Sequence, residues 1–274
     1  AALATLFASA AGYALDSKAA VPPAQLTYAD SADLALSAPV AAHVRVVRAS
    51  ALRQRDVPDS PPGHRRFLVE ADLVSLIRGP GALPARVRYL VDLPNDERGR
   101  AAKIPRRTEY LLLASPVPGR PGELRLAARD SQLPFTPALA ERFRRILAES
   151  SAAAAPPRIT AVGRAFHVPG SIPGESETQI FLQTADQRPV SLSILRRPGE
   201  SPRWAVALSE FVDESASTPA RDSLLWYRLA CFLPRTLPSQ SIGQASRSDT
   251  AAIQADYQLV LDSLGPCSRN RVRN

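Results

Sequence analysis

Cysteine, histidine, lysine and aromatic residues are all scarce in this chain of 274 residues, and each scarcity excludes something. The three histidines, His43, His64 and His167, stand far apart with no Cys, His or carboxylate at ligand spacing, so no metal site is expected. Neither of the two cysteines, Cys231 and Cys267, belongs to a Cys-x-x-Cys unit. Aromatics make up 6% of the residues, too few to interleave with arginine as a base-stacking platform. Beyond the N-terminal stretch, no segment approaches the roughly 18–20 apolar residues of a membrane span. Also missing are Gly-x-Ser-x-Gly, Ser-x-x-Lys, a Gly-rich phosphate loop ending in Gly-Lys, and His-Glu-x-x-His. No cofactor is therefore expected and no common catalytic class is marked, although a site assembled from scattered residues passes such a test unseen.

Arginine and proline are plentiful. A net charge of +8 raises nucleic acid or an anionic surface as a partner. Both halves of the chain mix the two signs, however, and lysine occurs only at Lys18 and Lys103. That pattern describes a solvated surface of Arg with Asp and Glu, so nucleic acid is not the expected partner. The 26 prolines forbid long unbroken helices and central strands, which predicts short elements joined by stiff loops. A hydrophobic share of 45% belongs to a folded chain, and the length favours two domains.

Residues 1–14 are small, apolar and uncharged, and Ala8-Ser9-Ala10 has the small-x-small form of a cleavage site. Residues 1–20 are thus expected to be a signal-peptide remnant or a flexible N-terminus, with a mature start near Asp16, Ser17 and Lys18. An exported chain with two cysteines pairs them, and a Cys231–Cys267 bond would close a loop of about 35 residues. The expected location is the periplasm or cell envelope of a bacterium, with no transmembrane span in the mature chain.

The fold class predicted from pattern is mainly β with α+β character. Strands are expected at 40–47, 66–73, 86–93, 110–114 and 123–127, followed by a helix capped by Thr136 with Pro137 in its first turn. That helix places Leu139, Phe143, Ile146 and Leu147 on one face and pairs Glu141 with Arg145 on the other. Five short strands and a helix predict a small barrel over residues 21–150, because closure removes exposed edges. Residues 151–157, small and ending in Pro156-Pro157, read as a linker. In a second domain, 158–274, strands at 159–168, 178–185, 189–196 and 203–212 make an antiparallel four-stranded meander. Val190, Leu192 and Ile194 are expected inward there, against Ser191 and Ser193 outward. Two helices, at 224–233 and 250–264, close the chain, and the disulfide pins one to the other.

The N-terminal half resembles the OB-type barrel modules of exported bacterial proteins related to the netrin and metalloproteinase-inhibitor families. The matching positions are Ala32-Asp33, Ile77-Arg78-Gly79, Tyr110-Leu111-Leu112-Leu113 and the helix after Thr136. The resemblance implies an OB-like barrel. It does not imply inhibition, because the inhibitors use an N-terminal cysteine and this chain has none before Cys231.

Two segments are candidates for function. The first is the basic run 98–107, with Arg98, Arg100, Lys103, Arg106 and Arg107, which could dock an acidic envelope protein or an anionic surface polymer. The second is 166–181, where two Pro-Gly turns stand among His167, Glu175, Glu177 and Gln179, the candidate catalytic residues. Phe166-His167 and Thr178-Gln179-Ile180-Phe181 resemble two strings that line the groove of cyclophilin prolyl isomerases, with Val168 standing where that family has its catalytic arginine. The expected function is non-catalytic binding or scaffolding. The alternatives are an exported enzyme, most specifically a cyclophilin-like isomerase, and a structural subunit of an envelope complex.

Overall fold

The structure, a computed structural model, describes residues 26–208 and 217–271; the leader expected at 1–20 and residues 209–212 of the fourth expected C-terminal strand lie outside them. The first described element was not expected. Helix α1, Tyr28–Ser37, begins at a capping box in which Thr27 accepts from the Asp30 N–H at 3.0 Å and Asp30 accepts from the Thr27 N–H at 3.1 Å. Ala32 and Asp33 sit inside this helix.

Strands β1 (Val40–Ala51), β2 (His64–Arg78), β3 (Arg86–Pro94), β4 (Glu109–Pro116) and β5 (Glu123–Leu126) follow. Their order, β1-β2-β3-β5-β4 with β4 returning to β1, closes a five-stranded OB-like barrel in which only the β3–β5 pairing is parallel. Register shifts after Ala41, His43 and Val46 bend β1, which pairs with β2 along its length and with β4 over its first half. Strand β3 alternates as expected, with Val87, Tyr89 and Val91 buried in the barrel beside Val44, Val69 and Leu112. β2 outruns its expected end because its last residues pair with the start of β1, Arg78 opposite Ala41. A three-residue strand β6, Gln132–Pro134, then flanks β4.

Helix α2, Pro137–Ser151, starts as expected, with Thr136 accepting from the Leu139 N–H and Leu139, Phe143, Ile146 and Leu147 buried. Glu141 pairs with Arg144 at 3.5 Å and not with Arg145, a correction of the expected one-turn pair. Strands β7 (Ile159–Pro169), β8 (Ser176–Thr184), β9 (Val190–Arg196) and β10 (Arg203–Ala207) form the antiparallel meander. Two main helices follow, α3 (Leu224–Ala230) and α5 (Arg247–Leu264), with a single turn α4 (Ser239–Ile242) between them. Cys231 and Cys267 are bonded.

The barrel interior is one core. A second runs through α1, α2, the meander and the C-terminal helices, joining Leu34 and Phe143 to Ile180, Leu192, Leu229 and Val260. Polar ties reinforce that junction. Asp33 accepts from the Tyr227 hydroxyl at 2.5 Å and from Arg269 at 2.6 Å. Asp30 accepts the backbone N–H groups of Asn270 and Arg271, while the Arg271 guanidinium forks onto Asp130 at 2.7 and 2.5 Å. Glu149 of α2 accepts the first N–H of α3 at 2.7 Å. Burial, reinforced by donation to Asp33, pushes the Tyr227 hydroxyl up to about 12.

Unfolding measurements test two of the fold's restraints, the disulfide and the lowered carboxyls of the barrel. Cys231→Ser should destabilise the protein by about 3–4 kcal/mol in urea unfolding, the entropy of opening its loop; a loss under about 1 kcal/mol would mean that the tail is held by Asp30 and Asp33 alone. The second concerns pH. Hydrogen bonds from Arg45 and then His43 hold the Glu109 carboxyl below its ordinary value, as Arg66 does for Asp59 and the Arg100 N–H for Asp96. Carboxyls lowered in the folded state stabilise it above their unfolded values of about 4, and this contribution disappears as the pH falls through the folded values. The urea midpoint should therefore drop from about pH 5 to about pH 3, and Glu109→Gln should flatten that slope; an unaltered slope would remove Glu109 from the account.

Candidate functional site

The meander has two unlike faces because its strands alternate about a half-buried plane. On one side Ala165, Thr178, Ile180, Leu182, Leu192 and Ile194 are buried against the helices. On the other, Phe166, Val168, Phe181 and Leu195 are exposed, at 48%, 62%, 41% and 42%. The Phe166 and Phe181 rings meet edge to face at 6.1 Å. Pairing sets the pattern of this outer face: Val168 lies opposite Glu177, which lies opposite Leu195, while Phe166 lies opposite Gln179, which lies opposite Ser193. Ser191 and Ser193 also belong to this side, as expected, but both are buried. They are small and sit in register between Phe181 and Ala207, and between Gln179 and Ala205. The Ser193 hydroxyl is buried without a hydrogen-bond partner. The result is an apolar rim around a low floor of serine and alanine.

The sequence candidates in this region separate. His167 faces the helices, where its Nδ1 lies 2.8 Å from the Thr178 hydroxyl; that hydroxyl donates to Asp256 of α5, so the imidazole nitrogen is the donor in the first bond. Arg196 donates to the same carboxylate at 2.7 Å. Asp256 and Thr178 are fully buried, so the chain of bonds fastens α5 to the sheet and offers no nucleophile to a substrate. Glu177 and Gln179 lie on the opposite face, joined at 2.8 Å. Glu175 closes the turn, its carbonyl accepting from the Gly170 N–H at 2.8 Å and its side chain filling the space that a Cβ at position 170 would need. The four residues do not converge.

The basic run forms the connection between β3 and β4. Ile104 is buried in the barrel core and anchors it. The Asp96 carboxylate accepts the backbone N–H groups of Arg98 and Arg100 and the Arg100 guanidinium. Arg107 takes a left-handed conformation, φ 67°, and its N–H reaches the Val46 carbonyl at 2.8 Å. Among the described residues, the side chains of Arg98, Lys103, Arg106 and Arg107 have no acidic partner.

Phe166 and Phe181 entered the sequence reading only through the isomerase resemblance and Leu195 not at all, although a signal for an apolar outer face was present. In β8 the residues Ile180, Phe181 and Leu182 are apolar at both parities, which a strand with one wet face does not need. For the opposite face, Asp256→Ala should cost about 2–4 kcal/mol in urea unfolding, because it strands the Thr178 hydroxyl and the Arg196 charge. A cost below about 0.5 kcal/mol would show that solvent replaces the carboxylate.

No family model matches the chain and no curated protein matches its sequence, so these residues are the ground on which function is read.

Proposed function

We propose that this chain is a non-catalytic binding module of the bacterial cell envelope, and that a partner protein docks on the outer face of the meander. The observation that carries the reading is the cluster of Phe166, Val168, Phe181 and Leu195, exposed together on three adjacent strands. Soluble domains seldom leave contiguous apolar side chains of this size in water without a use for them. Aromatic anchors beside a low floor supply what a protein interface needs at its centre, and the Glu177–Gln179 pair supplies polar specificity. An oxidised cysteine pair supports an exported location. Among the described residues no helix is long and apolar enough to cross a membrane.

A second contact, with an anionic surface polymer, is supported by the 98–107 connection, whose anchored base presents Arg98, Lys103, Arg106 and Arg107 outward. The isomerase reading has less support, since His167 and Gln179 lie on opposite faces.

A photoreactive amino acid at position 168, in cells that carry the protein naturally, should give one discrete adduct with another polypeptide. The same probe at position 141, on the solvent side of α2, should give none. Phe181→Ser should reduce the adduct at least fivefold. No adduct, or an adduct only with a second copy of this chain, would overturn the reading.

A further inference from the structure

A groove of about 1050 Å³ opens between α1, the turn that follows β5, and α3. Four arginines line it: Arg129 from the turn, Arg158 just before β7, Arg228 of α3, and Arg271. The acidic groups in the groove are already engaged. Asp130 holds Arg271 through two bonds, and Asp33 holds Tyr227 and Arg269. Arg129, Arg158 and Arg228 have no acidic partner among the described residues.

Arg228 is the most demanding of the three. Its side chain is half-buried, its guanidinium leans over the Tyr227 ring at 5.8 Å, and its Nε is buried with no hydrogen-bond partner. Burial and the charge of Arg158 both push it below the ordinary arginine value. A buried N–H left without an acceptor destabilises the fold, and like charges facing each other add to that. A bound oxyanion answers the second demand, because its charge offsets the facing guanidinium groups and their terminal N–H groups can grip its oxygens in pairs. Part of the lining is apolar. Leu36 belongs to it, and Phe232, exposed and packed edge to face on Tyr227 at 5.4 Å, offers a ring to whatever carries the anion.

We propose that this groove is a ligand site for a small phosphomonoester with an apolar body. Arg158 and Arg228 take the phosphate, Arg129 adds charge at its edge, and the body lies along Leu36 and Phe232. Three unmatched guanidinium groups favour the dianion of a monoester over a single carboxylate. The site is separate from the sheet face and stands or falls independently of it.

Titration calorimetry with phenyl phosphate, inorganic phosphate and phenylacetate tests the assignment. Phenyl phosphate should bind at least tenfold more tightly than either of the others. Arg158→Gln and Arg228→Gln should each weaken it at least tenfold, and Arg158 is exposed, so that variant reports even if Arg228→Gln fails to fold. Phe232→Ser should weaken phenyl phosphate and leave inorganic phosphate unchanged, while Arg100→Gln in the barrel loop should alter neither. No binding of phenyl phosphate, or equal binding by Arg158→Gln, would overturn the site. Phenylacetate binding as tightly as phenyl phosphate would overturn the phosphate assignment.

Discussion

Asp30 and Asp33 lie three residues apart on α1, and between them they receive four groups from the far end of the chain: the Tyr227 hydroxyl, the Arg269 guanidinium and the backbone N–H groups of Asn270 and Arg271. A shielded carboxylate is tolerable only when its lone pairs are filled, and here the filling is done by segments that must be in place together. The same helix packs Leu34 and Ala35 against the core of the meander. Position and charge therefore reinforce one another. The disulfide acts on this arrangement from outside, tying the segment that carries Arg269 and Arg271 to the end of the helix that carries Tyr227.

Arginine is the cation throughout these ties, and its shape explains the choice. Arg66 grips Asp92 with two bonds while reaching Asp59, Arg271 grips Asp130 likewise, and Arg196 sits on the buried Asp256. A rigid fork holds a carboxylate in one orientation at lower entropic cost than a flexible ammonium. The high arginine content thus serves the architecture in large part, and the arginines that stand out are those left without a carboxylate.

Much of the architecture could be read from the residues. The strict alternation of Val87, Tyr89 and Val91, the Thr136-Pro137 start of α2 and the spacing of Ile253 and Tyr257 each encode their element locally. α1 was hidden because its buried face includes Asp30 and Ser31, so no clean apolar stripe marks it; only the Thr27–Asp30 capping pair betrayed it. β6 and α4 are too short for any period to register. The sites were less legible still. Glu177 and His167 look like neighbours in sequence, yet neighbouring strands turn them to opposite faces. Arg158 and Arg228 are distant in sequence, and only the packing of α3 near the start of β7 brings them to one groove.

Asp33 and Arg269 are separated by 236 residues. The barrel strands all precede the meander in the chain, and the barrel has an interior of its own to bury. The α1 face cannot be completed until residues 269–271 arrive, so its closing contacts carry the highest loop-closure cost in the molecule. Contact separation thus favours the barrel as the early unit of folding and the second core as the late one. The Cys231–Cys267 bond spans only 36 residues, so its own closure is short compared with the 236-residue contact whose arginine it holds near.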